Sequence, residues 1–213
     1  MNNDFSHSGS KINSVLTVFC DLFFLGLLWL LTAWPIITLP AASAALYDSV
    51  ARCVMGDEAG PYARFFRTLW REMGRGLLIA ILWILFGIIV WVGHSYLSAT
   101  AESSTVIRYY LYFFRISLLL PAAILCWLLP LESRFVFRFW QLHKAAVSYA
   151  IAYLPRTAGM LGALVAVVVI CGFVPALIIF APGAIALLHY LLIEKVLKEN
   201  TPKEEEMATS GQK

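Results

Sequence analysis

VLTVFCDLFFLGLLWLLTAWPIITL, residues 15–39, is a run of apolar and small side chains broken by a single charge, Asp21. Hydrocarbon about 30 Å thick is crossed by about 20 helical residues, so this run is long enough to span a bilayer. Further apolar stretches follow at Leu77–Leu97, Tyr109–Leu131 and Ala158–Ile193, the last long enough for two crossings. Pro175, Pro182, Gly172 and Gly183 supply breaks at which that stretch turns back, since proline removes a donor and glycine relaxes the backbone. The expected fold is an all-α, polytopic transmembrane helical bundle of about five spans, with four as the alternative.

The composition agrees. Hydrophobic residues make up 61% of the 213 positions and charged ones 14%, against roughly 25% charged in an average soluble chain. Mean hydropathy is +0.78. One membrane domain, 15–198, is expected between a polar N-terminal tail, 1–14, and a charged, disordered C-terminal tail, 199–213. Ala42-Ser43-Ala44 offers a small-residue cleavage site, but the apolar core before it is about twice the usual 7–15 residues of a signal peptide, so a retained first span is expected. Cys20, Cys53, Cys126 and Cys171 form no zinc-type spacing and read as free thiols.

Lys and Arg concentrate in cytoplasmic loops. Arg52, Arg64, Arg67, Arg71 and Arg75 lie between the first and second spans, and Arg134, Arg138, Lys144 and Arg156 between the third and fourth. The intervening loop holds only Arg108, with Glu102. This places the two rich loops inside, the N-terminus outside and, with five spans, the basic tail (Lys195, Lys198, Lys203) inside a bacterial cell membrane. On a helix over 64–77, Arg64, Arg67, Arg71 and Arg75 fall within roughly 80° of one another, opposite Phe65, Phe66, Leu69, Trp70, Met73 and Leu77. An interfacial helix with its arginines toward headgroups is expected, the alternative being a face that docks a cytoplasmic partner. Residues 134–144 repeat the theme less cleanly.

At Pro35 the missing N–H ends or kinks the first span, because the carbonyl of Leu31 loses its partner. The Thr38 hydroxyl is placed to satisfy a freed carbonyl or to cap the next helix, expected over Ala41–Met55. Ala41 to Ala45 leave little bulk and permit close helix approach.

The run Trp34-Pro35-Ile36-Ile37-Thr38-Leu39-Pro40, continuing into Ala45-Leu46-Tyr47, resembles the signature of the YesL-like family of small bacterial membrane proteins. Phe65-Phe66-Arg67 before the second span and Leu129-Pro130 with Arg134-Phe135 at the close of the third are similar to that family's order, over about residues 15–198. Pro40 departs from it, standing where the family's glycine is expected. The resemblance implies an accessory or regulatory part in carbohydrate uptake or utilisation, since members tend to be encoded beside such systems. It carries over no catalytic residue; the physical reading of the same residues makes Pro35, Thr38, Pro40 and Tyr47 a structural hinge motif, with a gate or substrate contact as the alternative.

The chemistry of an enzyme has little material here. His7, His94, His143 and His189 lie in different segments, and no zincin, nucleophile-elbow or Walker pattern occurs. No catalytic, cofactor-binding or metal-binding residue is expected, and no cofactor. The expected function is a non-enzymatic accessory or regulatory component, with a small transporter or channel subunit as the alternative. The expected partner is the lipid bilayer, with transport-system subunits or a second copy of the chain open as protein partners, and no nucleic acid. The remaining candidates are charges within spans, which are costly there and functional by default. With the N-terminus outside, Asp21 and Arg115 fall at similar depth in the outer leaflet. They are expected to pair, with His94 beside them, or else to reach the interface separately.

Overall fold

The computed structural model describes residues 3–56, 58–100, 104–135 and 138–210, and side chains from 16 to 197 apart from Arg134 among these. Every regular element among them is helical. The α-helices are α1 (Asn3–Ala33), α2 (Leu39–Ser49), α3 (Pro61–Thr100), α4 (Thr105–Ser117), α5 (Leu119–Arg134), α6 (Phe139–Ala152), α7 (Leu154–Phe173) and α8 (Ala181–Ser210). The backbone of 3–14 and of 199–210 is helical, where the C-terminal tail was expected to be disordered; residues 1–2 and 211–213, Glu102 and the side chains of His7, Lys11, Lys198 and Lys203 lie outside the described residues.

Among the described residues four helical segments are long and apolar enough to cross a membrane: Leu16–Ala33, Pro61–Thr100, Thr105–Ser133 and Leu154–Phe173. The protein is a multi-pass membrane protein with an all-α bundle. The expected turn inside 158–193 is present, because α7 stops at Phe173 and a 3₁₀ turn, Pro175–Ile179, leads into α8. The apolar part of α8, Ala181 to Ile193, reaches only about 20 Å, short of the hydrocarbon thickness.

The hairpin α1–α2 follows from Pro35. Helix α1 ends at Ala33, and Ile36–Thr38 forms a 3₁₀ turn. Thr38 Oγ1 lies 2.5 Å from the carbonyl oxygen of Thr32 and 2.7 Å from that of Pro35; its one hydrogen can serve the Thr32 carbonyl that the broken helix leaves open, since the Pro35 carbonyl already accepts from the Thr38 N–H at 2.8 Å. It makes no side-chain cap on α2. Pro40 sits in the first turn of α2, where a missing N–H costs nothing. The expected helix Ala41–Met55 is α2 followed by a π-helical turn, Val50–Val54. Small residues let α2 press against α3: a Cβ on Gly76 would stand 2.8 Å from that of Ala41.

Two expectations are corrected here. Residues 64–77 are no separate interfacial helix but the first part of the 40-residue α3. Their buried stripe is Phe65, Thr68, Leu69, Glu72 and Gly76, while Phe66, Trp70 and Leu77 are exposed. The stripe faces α2, whose close approach outweighs the sequence's arginine-versus-aromatic partition. Residues 134–144 straddle the junction of α5 and α6, with Val136 and Phe137 outside the described residues. Secondly, Tyr62 Oη donates to Asp21 Oδ1 at 2.7 Å, and the Phe24 and Tyr62 rings meet edge to face at 6.4 Å. An outer Asp21 and a cytoplasmic Arg52–Arg75 loop cannot both hold, because the start of α3 lies beside the first half of the apolar segment Leu16–Ala33.

Two buried clusters hold the bundle. One gathers Leu25, Ala42, Leu46, Val50, Phe65 and Leu69 from α1, α2 and α3; the other centres on Trp127, Leu128, Leu131, Leu142 and Ile193 from α5, α6 and α8. Beyond Ala80, α3 leaves the packed body and pairs with α4, with Ile89, Trp91, Tyr109 and Phe113 about 70% exposed. Such a surface suits acyl chains as solvent and not water.

A buried carboxylate network and an apolar cavity

Asp48, near the end of α2, is completely buried. Arg64 Nε donates to its Oδ2 at 2.6 Å, Arg64 Nη2 to Oδ1 at 3.3 Å and Thr68 Oγ1 to Oδ2 at 2.7 Å. Arg52 Nε, one helical turn beyond Asp48, stands 3.0 Å from Oδ1, and Arg64 also reaches Glu58 Oε2 at 2.6 Å. The carboxylate thus joins α2, the π-helical turn and α3 with its charge compensated. One helical turn past Thr68, Glu72 is buried, accepts from Arg71 Nε at 2.7 Å and has Arg75 Nη1 3.5 Å away. Glu132 of α5 is 1% exposed, faces Glu72 and Arg75, and neither of its oxygens has a hydrogen-bond partner among the described residues.

Of the arginines expected to face headgroups, Arg64, Arg71 and Arg75 are therefore tied to carboxylates, and only Arg67 has no ion pair among the described residues. Asp21 does not pair with Arg115. Asp21 takes the Tyr62 hydroxyl, whereas Arg115 Nε donates to His94 Nε2 at 3.3 Å where α4 returns along α3. The Pro–Thr knuckle keeps Pro35, Thr38 and Pro40 at the α1–α2 turn. Tyr47 lies elsewhere, with its hydroxyl donating to Glu194 at 3.2 Å.

The sequence reading did not single out Asp48, Glu72, Glu132 or Glu194 as buried groups. A signal existed: Asp48 lies among small residues with Arg52 one turn on, an i,i+4 pair on a helix that the same sequence marks as tightly packed.

A cavity of about 450 Å³ opens between α1, α2, α5, α7 and α8. Its walls are apolar, with Leu125, Leu129, Leu164 and Ile185 among them, and no Asp, Glu, Lys or Arg lines it. Three polar side chains reach it: Ser43, whose Oγ accepts from Trp29 Nε1 at 3.0 Å; Tyr47; and His189. No group of His, Cys, Asp and Glu able to hold a metal occurs among the described residues.

No curated protein and no solved structure matches the chain. Residues 22–94, which hold the knuckle, the Asp48 network, Glu72 and α3 as far as His94, match the model of a family described as "Protein of unknown function, DUF624".

Proposed function

We propose that the protein is a non-enzymatic accessory or regulatory component of the bacterial cell membrane, serving carbohydrate uptake or utilisation through a partner in the transport system. The observation that carries the first half is the use of Asp48 and Glu72 against Arg52, Arg64, Arg71 and Arg75, which fastens helices together, while no Asp, Glu, Lys or Arg among the described residues lines the cavity. The carbohydrate link rests on the family resemblance. The transporter alternative gains little from the cavity, whose apolar walls offer a sugar few hydrogen bonds.

In the bilayer, the bond between Asp21 and Tyr62 is best accommodated with the N-terminus, the Arg52–Arg64 segment and the Arg138 segment all cytoplasmic. Helix α3 then leads outward, α4 and α5 lead back, and the poor loop around Arg108 is outside, as the charge rule prefers. Crosslinking in native membranes, followed by identification of whatever is held, tests the function. Capture of permease subunits is expected. Sugar flux by the purified protein alone in liposomes would overturn the accessory role in favour of transport.

A further inference from the structure

Arg115 is a charge without a counter-charge. It belongs to the apolar segment Thr105–Ser133, is exposed, and has no ion pair among the described residues. Its one hydrogen bond, from Nε to His94 Nε2 at 3.3 Å, goes to an imidazole nitrogen that carries no negative charge, and four of its five N–H donors are left over. An ionised side chain within a span is expensive unless it is compensated. The exposure of this one leaves room for the compensating group to come from outside the chain.

The surroundings narrow the occupant. At about 100° per residue, Arg108, Tyr112 and Arg115 fall within about 60° of one another on α4 and span about 10 Å along it. Arg108 and Tyr112 are exposed as well, and Arg108 likewise has no ion pair among the described residues. One turn further inward the same stripe becomes Leu119, 56% exposed, with Ile116 exposed beside it. His94 stands three residues before Leu97, where the apolar stretch of α3 ends, so Arg115 is held about 5 Å inside the edge of the hydrocarbon and Arg108 lies beyond that edge. Exposed Tyr96 and Tyr109 mark the same level as interfacial.

Donors and positive charge at the membrane edge, with bare aliphatic side chains directly below, follow the order of groups along a phospholipid. A guanidinium fork also matches a phosphate with two parallel hydrogen bonds. A carboxylate on a partner helix would satisfy Arg115 but leave Arg108 and Tyr112 unused. We propose that this stripe of α4 binds an anionic phospholipid, its phosphodiester accepting from Arg115 and Tyr112, Arg108 facing the rest of the headgroup, and its acyl chains against Ile116 and Leu119. The site does not depend on the accessory role.

The test uses the delipidated full chain in dodecyl maltoside, with dioleoylphosphatidylglycerol as probe and native mass spectrometry to count the lipid retained. A tightly held copy is expected that dioleoylglycerol, with the same tails and no phosphate, does not displace. Arg115→Gln should weaken retention about fivefold, and Arg115→Lys less, because it keeps the charge and loses the fork. Tyr112→Phe should weaken it about twofold to threefold. Arg67→Gln, near the opposite end of α3, should leave that copy in place. Should Arg115→Gln fail to fold, Tyr112→Phe and the comparison with dioleoylglycerol on the unaltered chain decide. Displacement by dioleoylglycerol, or equal effects of Arg115→Gln and Arg67→Gln, would overturn the proposal. Unchanged retention in Arg115→Gln, together with loss of a crosslink to a carboxylate-bearing helix in native membranes, would overturn it in favour of a protein partner on this face.

Discussion

Asp48→Asn removes a charge while keeping the shape, and its cost follows from what surrounds the group. Stripping one partner from a buried ion pair costs about 3–5 kcal/mol, because the other charge is left in low dielectric. Two features move Asp48 toward the lower end: Arg52 is 36% exposed and regains water, and Arg64, though only 11% exposed, keeps Glu58 at 2.6 Å. A loss of about 3 kcal/mol is expected, more than a hundredfold in the folding equilibrium. Glu58 belongs to the same cluster but is 47% exposed, so Glu58→Gln should lose under about 1 kcal/mol. The assay is reversible unfolding by dodecyl sulfate in mixed micelles, followed by tryptophan fluorescence. A loss below about 1 kcal/mol for Asp48→Asn, or equal losses for both changes, would refute the claim that burial sets the value of this network.

Gly183→Ala should destabilise by about 1–3 kcal/mol in the same assay, since its Cβ would lie 2.5 Å from the Leu22 carbonyl oxygen, a backbone atom that cannot swing aside. Gly74→Ala, with open space beside it, should be neutral or stabilising. Pro35→Ala should lower folded yield and trypsin resistance in membranes by letting α1 continue past Ala33; unchanged resistance would show that the Thr38 bonds alone make the turn. In a cysteine-free background, Arg67→Cys and Gln141→Cys should resist an impermeant thiol reagent in intact cells while Ser104→Cys reacts. A cysteine added before Met1 should also be protected, and its labelling would contradict the placement of Asp21 beside Tyr62.

Helix content, the hairpin near Pro175 and the break at Pro35 were legible because each rests on a local rule: apolar run length, a missing N–H, a relaxed backbone. The partner of each charge was not. Arg64 has the same helical-wheel angle whether it faces headgroups or Asp48, and only the packing of α2 on α3, allowed by Ala41 and Gly76, decides between them. Charge counting assigned a side to each arginine-rich loop without asking whether the helix expected over Ala41–Met55 runs back beside the first span. A short return helix such as α2, with Asp48 in it, is too polar to register as a span and too buried to be a loop. The cavity polar groups come from α2 and α8, more than 140 residues apart in the chain, and no spacing rule joins them.

Helix α3 has a mechanical consequence. Its 40 residues make one rod about 60 Å long, anchored at one end through Thr68 and Glu72 and carrying Trp91 and Tyr96 at the other. A rod without a hinge is a lever: swinging it by about 10° about Glu72 would carry the far tip, about 42 Å away, sideways by about 7 Å. Whatever loosens or tightens the carboxylate cluster on one face of the membrane is thereby magnified into displacement of the aromatic tip on the other, with no need for the intervening residues to rearrange.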